Sequence, residues 1–252
     1  MKREYVRIKD THDPRDHVHK VQASLHSSLE IPQHFDLLPG CSEIEDQTTL
    51  GACTGHAITG ALEYLEYVEH QEPVRLSRLF VYYNERMLEN TVLSDAGANI
   101  RDGIKAIATW GVCSEEVWPY NIHHFKKKPS ADAYIDAATR RAIAYASVPQ
   151  TEHALIECIA SSTPIIFGIS VYESFESAEV AHTGLVPMPQ PHERNLGGHA
   201  VLIVGYDKRD RTFLVRNSWG PKWGINGYFK LPFDYVLNPN LADSFWIVTR
   251  KL

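Results

Sequence analysis

Apolar and polar positions change rhythm partway along the chain. From Cys53, the run CTGHAITGALEYLEYVEH sets Ala57, Ile58, Ala61, Leu62, Leu65 and Val68 at helical spacing, while Glu63, Glu66 and Glu69 fall mainly on the other side. This predicts a long helix with Cys53 in its opening turn. Helical patterns follow over residues 77–88, 100–110 and 131–145, separated by Gly, Pro and Asn signals. The second half is different: STPIIFGISV, HAVLIVGYD, RTFLVRNSW, GYFKLP and DSFWIVTR are short β-branched and aromatic runs divided by turn residues. They predict strands of a mostly antiparallel sheet. Helices first and strands later is the α+β pattern, expected here as two lobes with a cleft between them.

Residues 1–30 carry many charges and histidines with little periodicity and are expected to drape over the domain or stay mobile. A folded unit begins near Ile31-Pro32. The expected division is an extension over 1–30 and one domain over 31–252, with a helical lobe over about 31–145 and a β lobe over about 146–252.

Composition narrows the function classes. A net charge of −6 supplies no basic stripe for nucleic acid or an acidic membrane, and Lys126-Lys127-Lys128 reads as a solvated loop. The start MKREYVRIKDTHDPRDHVHK has no apolar signal-peptide core, and no window approaches the roughly 18 apolar residues of a membrane span. Four scattered cysteines, Cys41, Cys53, Cys113 and Cys158, fit a reducing, intracellular setting better than a disulfide framework.

The chemistry centres on Cys53. A thiol is a strong nucleophile only as thiolate, and a helix start with a nearby imidazolium lowers its pKa. Six residues earlier stands Gln47, whose amide can join the Cys53 backbone N–H in holding an oxyanion. Gly51 permits close approach of backbone and substrate. A base and its orienter are offered by GGHAVLIVGYD and RNSWGPKWGINGYF, with His199 at the mouth of one strand and Asn217 at the end of the next.

These motifs together resemble the papain and cathepsin family: Gln47 before Cys53 at a helix start, the glycine-led His199 strand with Gly205-Tyr206, Asn217-Ser218-Trp219-Gly220, Trp223-Gly224 and Gly227-Tyr228. The family signature puts His and Asn about 130 to 150 residues past the Cys; here 199 − 53 = 146 and 217 − 53 = 164, the second implying a surface-loop insertion. The resemblance implies a papain-like two-lobed fold in which Cys53 and His199 face each other across the cleft. It also implies that Asn217 bonds His199, that Trp219 shields that bond, and that Gln47 completes the oxyanion hole. Gly97, Ala98 and Asn99 would stand where the family lines its cleft with a glycine pair, their backbone pairing with an extended peptide, and Gly198 would be a further substrate-binding residue.

Departures from the family are informative. Its usual Cys-Gly-Ser-Cys-Trp reads Leu50-Gly51-Ala52-Cys53-Thr54 here, so the disulfide that starts at the first cysteine cannot form, and Thr54 replaces an aromatic. Only about 30 residues precede Ile31-Pro32, too few for the family's long helical inhibitory propeptide, and latency by that route is not expected. His123-His124 resemble the paired histidines of cathepsin B's occluding loop but lack the flanking cysteines, and read as a surface turn. His56, one turn after Cys53, has no second ligand pair of zinc-like spacing. His182 and His192 read as loop histidines, and Cys41, Cys113 and Cys158 as reduced structural thiols.

The expectation is a cysteine endopeptidase acting on extended polypeptides through a Cys53-His199-Asn217 triad and an acyl-enzyme, with no cofactor and no metal. Two alternatives stay open: an acyltransferase or amidase using the same triad, and a non-catalytic binding module on the scaffold. Substrate preference and oligomeric state are not legible.

Overall fold

In the computed structural model, which describes residues 4–11, 13–20, 31–141 and 143–250, the helix expected from Cys53 runs Cys53–His70 (α1). Ser77 starts α2 (Arg78–Leu88) by accepting the Phe80 N–H. Asn99 starts α3 (Ile100–Trp110) by accepting the Asp102 N–H, and Gly111 stops it at φ 78°, a conformation that suits glycine. These three helices pack on one another, with Ile58, Leu79, Phe80, Ile100 and Ile104 fully buried.

The prediction for α1's polar side needs correction. Glu63 is buried: it accepts the Leu76 N–H at 2.8 Å, pairs with Arg78 at 2.9 Å and bonds the Ser42 hydroxyl. Glu66 is also at the buried limit. α1 is enclosed on both sides as far as Glu66, and the buried Glu63 carboxylate is tolerated because each oxygen is met by a donor.

A second correction concerns residues 131–145. The helix α4 ends after Ala131–Ala137, a 3-10 turn follows at Ala138–Arg140, and the chain enters a strand, β2 (Ile143–Ser147). Ala144 and Ala146 face Thr249 and Ile247 of β7 (Ala242–Arg250), so ladder pairing overrules the local helix preference of alanine. A further helix, α5 (Glu152–Ala160), capped by Thr151, lies in a stretch that the strand-rich pattern of the second half had not flagged.

The remaining strands are β1 (His34–Asp36), β3 (Ile165–Tyr172), β4 (Asn195–Asp207), β5 (Thr212–Arg216) and β6 (Tyr228–Pro232). They form one antiparallel sheet in the order β2-β7-β3-β4-β5-β6, with β1 on the far end of β4. This is the α+β, two-lobed papain-like arrangement. α1 lies against β4, and that contact brings the opening turn of the helix to the mouth of the strand. Among the described residues no helix is long and apolar enough to cross a membrane.

Candidate active site

Cys53 is the first residue of α1, follows the cap position Ala52, and is 2 % exposed. β4 sets His199 opposite Ile169 of β3. Asn217 follows the last residue of β5. The His199 Nε2–H donates to Asn217 Oδ1 at 2.9 Å, and the same oxygen accepts the Ser218 N–H at 2.9 Å. Trp219 stacks on the imidazole, ring centroids 5.1 Å apart and planes 25° apart, and is held in turn by Phe175 and Trp223. All three of His199, Asn217 and Trp219 are buried, so the bond between the first two is shielded from water.

Gln47 is fixed from both ends: its Nε2 donates to Leu50 O at 2.9 Å and its Oε1 accepts the Ser218 hydroxyl at 2.6 Å. The Tyr120 hydroxyl donates to its backbone oxygen at 3.0 Å. Thr54 is buried, and its hydroxyl bonds the buried Glu85.

The cleft is covered. Residues 5–8, a segment with no predicted element, run through it as an extended strap. The Gly198 N–H donates to Tyr5 O and the Arg7 N–H to Gly198 O, both at 3.2 Å, and the Ile8 N–H donates to Ala98 O at 3.1 Å. Val6 pairs with Gly198 and Ile8 with Asn99, in parallel. The Tyr5 ring stands edge-on to His199 at 6.3 Å. A Cβ on Gly51 would lie 2.4 Å from Val6 Cγ2, and one on Gly97, which sits at φ 68°, would lie 2.1 Å from Val6 O. Gly51, Gly97, Ala98, Asn99 and Gly198 thus gather around one extended segment. The cleft is thus filled by a short extended segment and not by a long helical propeptide. A signal existed, because Tyr5-Val6-Arg7-Ile8 is a strand-like run inside the charged N-terminus.

The strap stays attached beyond the cleft. Asp10 accepts the Trp246 indole N–H at 2.7 Å and the Arg101 N–H at 3.2 Å; Arg101 pairs with Asp16 at 2.6 Å. His17 and His19 exchange backbone bonds with Ser147, each 2.7 Å long.

In the covered cleft the Cys53 thiol is buried. Burial pushes the Cys53 thiol up to about 11, although the Ala200 backbone and the Arg7 charge act the other way. A helix start alone does not make a thiolate where water is excluded. His56 is buried too, its Nδ1 2.8 Å from Ala52 O and its ring edge-on to Tyr120; burial lowers its pKa to about 3 and keeps it neutral. His123 and His124 sit in an exposed 3-10 turn at Ile122–His124. His182 lies in the short helix α6 (Ala178–Thr183) and His192 in a turn, neither in β4. The four cysteines are free thiols, and no group of three or more His, Cys, Asp or Glu placed to hold a metal occurs among the described residues.

Comparison with known proteins gives the class. The model of the papain family cysteine proteases matches residues 31–241, and the chain belongs to that family; it is a cysteine-type peptidase. Three of the similar proteins show the likeness. An uncharacterized peptidase C1-like protein of Acanthamoeba polyphaga mimivirus is 45% identical over 228 residues, 85% of this chain and 73% of that protein. Procathepsin L of Rattus norvegicus is 27% identical over 86% of this chain, which spans 65% of that relative's length. Xylellain, a cysteine protease from Xylella fastidiosa, superposes with a TM-score of 0.93 at 37% identity, covering 100% of this chain and 99% of its own.

Proposed function

We propose that the chain is an endopeptidase that cleaves extended polypeptides with Cys53 as nucleophile, His199 as proton carrier, Asn217 as its orienter and Gln47 as an oxyanion donor. The observation that carries this reading is the shielded bond from His199 Nε2 to Asn217 Oδ1, at 2.9 Å, on the strand packed against the α1 terminus where Cys53 stands. With Nε2 engaged, Nδ1 is the nitrogen left to exchange a proton with the thiol.

In this mechanism the Cys53 sulfur attacks the scissile carbonyl carbon as its proton passes to His199. The oxyanion is held by the Cys53 backbone N–H and by the second hydrogen of Gln47 Nε2, the first being spent on Leu50 O. His199 then protonates the leaving amine, the C–N bond breaks, and a thioester remains. Water, deprotonated by His199, attacks the thioester; the acid departs and the proton returns to the Cys53–His199 pair. Extended substrates suit a cleft whose Gly198 and Ala98 already bond an extended segment. Turnover requires the strap to leave.

The test is a comparison of full-length protein and its Cys53→Ala variant on a denatured protein substrate and on fluorogenic peptides, with mass spectrometry of the iodoacetamide adduct. Loss of cleavage in the variant and an adduct on Cys53 are expected. Equal cleavage by both proteins would remove Cys53 from the reaction.

A further inference from the structure

Asp95 lies in the connection between α2 and α3, just before the cleft wall, and reaches across to the loop that precedes Cys53. Both of its carboxylate oxygens take the Gly51 N–H, at 3.1 and 3.0 Å. That N–H belongs to the same planar trans peptide unit as the Leu50 carbonyl, which accepts Gln47 Nε2–H at 2.9 Å. One end of the unit is therefore held by Asp95 while the other end holds the Gln47 amide. A carboxylate is among the stronger acceptors a backbone N–H can meet, and by polarising the unit it makes the Leu50 carbonyl a better acceptor in turn. The Asp95 carboxylate also takes the buried Tyr82 hydroxyl, whose oxygen accepts the Gly97 N–H at 3.3 Å. Gly97 precedes Ala98, whose carbonyl bonds the strap. A continuous set of bonds thus runs from the cleft wall through Tyr82, Asp95 and the Leu50–Gly51 peptide to Gln47.

The arrangement is built to stay. Arg86, fully buried, lies over the Tyr82 ring at 4.0 Å and donates to the carbonyls of Val92 and Ser94, both at 3.0 Å, which fixes the chain up to the residue before Asp95. A Cβ on Gly51 would lie 3.0 Å from Asp95 Oδ1, so glycine is what lets the carboxylate come this near. No covalent link shares the task, because all four cysteines are free thiols. We infer that Asp95 is a positioning residue for the oxyanion hole: it sets the plane of the Leu50–Gly51 peptide, that plane aims the Gln47 amide, and Tyr82 keeps both in register with the cleft wall at Gly97. The inference rests on the peptidase reading above, in which Gln47 donates to the oxyanion, and adds the residue that aims this donor. Without Asp95 the peptide unit can turn about its flanking bonds, and the second hydrogen of Gln47 Nε2 no longer points at one place.

The test uses full-length chains that all carry Arg7→Ala, which opens the cleft. This parent is compared with Asp95→Ala, Asp95→Asn, Tyr82→Phe, Gln47→Ala and the double variant Gln47→Ala with Asp95→Ala. Two rates are read for each: kcat on one peptide, and alkylation of Cys53 by iodoacetamide. Alkylation displaces iodide at a saturated carbon, so it needs the thiolate and forms no oxyanion. Asp95→Ala should lower kcat about 10- to 100-fold, the scale of misplacing a catalytic group by about 1 Å, and leave the alkylation rate unchanged. Asp95→Asn keeps Oδ1, the oxygen shared by Gly51 and Tyr82, and should recover part of the loss. Tyr82→Phe cuts only the tie to the cleft wall and should lose less than Asp95→Ala. In the Gln47→Ala chain, Asp95→Ala should cost nothing further, because the donor it aims is already gone. Should Asp95→Ala fail to fold, Asp95→Asn carries the same cycle. Losses that multiply in the double variant, alkylation that falls in step with kcat, or a kcat that survives both Asp95 substitutions overturns the inference while leaving the peptidase reading intact. A parent that cleaves no peptide overturns the peptidase reading, and the role of Asp95 falls with it.

Discussion

Gly198 donates its backbone N–H to the carbonyl of Tyr5 at 3.2 Å, one residue before His199, so the strap is tied to the strand that holds the histidine. Among its other attachments, the buried Arg7–Asp243 pair carries the charge of the strap into the sheet. Breaking a buried pair by removing one partner costs about 3–5 kcal/mol. Here the cost falls on the covered state, because Asp243 regains water once the strap leaves. Arg7→Ala should therefore raise the initial rate of the full-length protein at least about tenfold on a fluorogenic peptide, measured by continuous fluorescence. A rate equal to wild type would mean that the strap does not limit access.

The thiol gives the covered fold a pH dependence. In the covered state Cys53 is raised by burial to about 11 from an ordinary value near 9.0. Relative to the unfolded chain, where the thiol has its ordinary value, the folded, covered state binds this proton more tightly, so the stability it contributes is fully present below about pH 9 and is lost as pH rises through 11. Alkaylation by iodoacetamide, followed by mass spectrometry between pH 6 and about 11, should show a strongly alkaline midpoint for wild type. Arg7→Ala should react faster at neutral pH. Identical profiles would separate the thiol from the strap.

Glu85 is a cost built into the helical lobe. It is fully buried, Thr54 bonds one oxygen, the other has no hydrogen-bond partner among the described residues, and burial holds its pKa well above the carboxylate range. A raised carboxyl stabilises the fold below the unfolded value of about 4.3 and loses that contribution as pH rises through the folded value. Glu85→Gln should leave Tm unchanged near pH 4 and raise it at pH 8. A variant less stable than wild type at both would show that the negative charge is used.

The reach of sequence patterning is visible in these cases. Cys53, His199 and Asn217 could be found because each begins or ends an element whose local pattern is strong, and helix α1 was legible from its apolar spacing. What escaped was settled by distant partners. Glu63 looks solvent-facing on a helical wheel and is buried because Arg78, the Leu76 N–H and Ser42 converge on it. Residues 143–145 follow a helical pattern and join a sheet because β7 lies beside them. Arg7 is one charge among many until Asp243, 236 residues away, supplies its partner.

Gln47 separates catalysis from architecture. Gln47→Ala removes an oxyanion donor, with an expected loss of about 10²–10³ in kcat. It also strips the Ser218 hydroxyl and Leu50 O of their partner, which should cost about 1–3 kcal/mol of stability. Gln47→Glu keeps the acceptor for Ser218 but has no amide to give. It should lose kcat as severely while recovering part of the melting temperature, read by calorimetry beside single-turnover kinetics. A Glu variant with wild-type kcat would take Gln47 out of the oxyanion hole.

Asn217 offers the sharpest test of the proton path. Its Oδ1 takes the His199 Nε2–H, while its Nδ2, also buried, has no hydrogen-bond partner among the described residues. Asn217→Asp therefore keeps the acceptor and exchanges an unused amide for a second anion beside the imidazole. An anion at that distance favours the imidazolium, so the ring should give up its proton at a higher pH, and the alkaline limb of kcat/KM should move up. The limbs belong to the coupled Cys53–His199 pair, so the comparison is of whole profiles. The same substitution buries a carboxylate oxygen with no donor facing it, and the melting temperature at pH 8 should fall. Asn217→Ala adds no charge: it should lower kcat about 100-fold by loosening the ring and leave the alkaline limb where it was or lower. Profiles of the three proteins on one peptide decide the matter. An alkaline limb that stays put or falls in Asn217→Asp would show that this amide does not govern the histidine's proton.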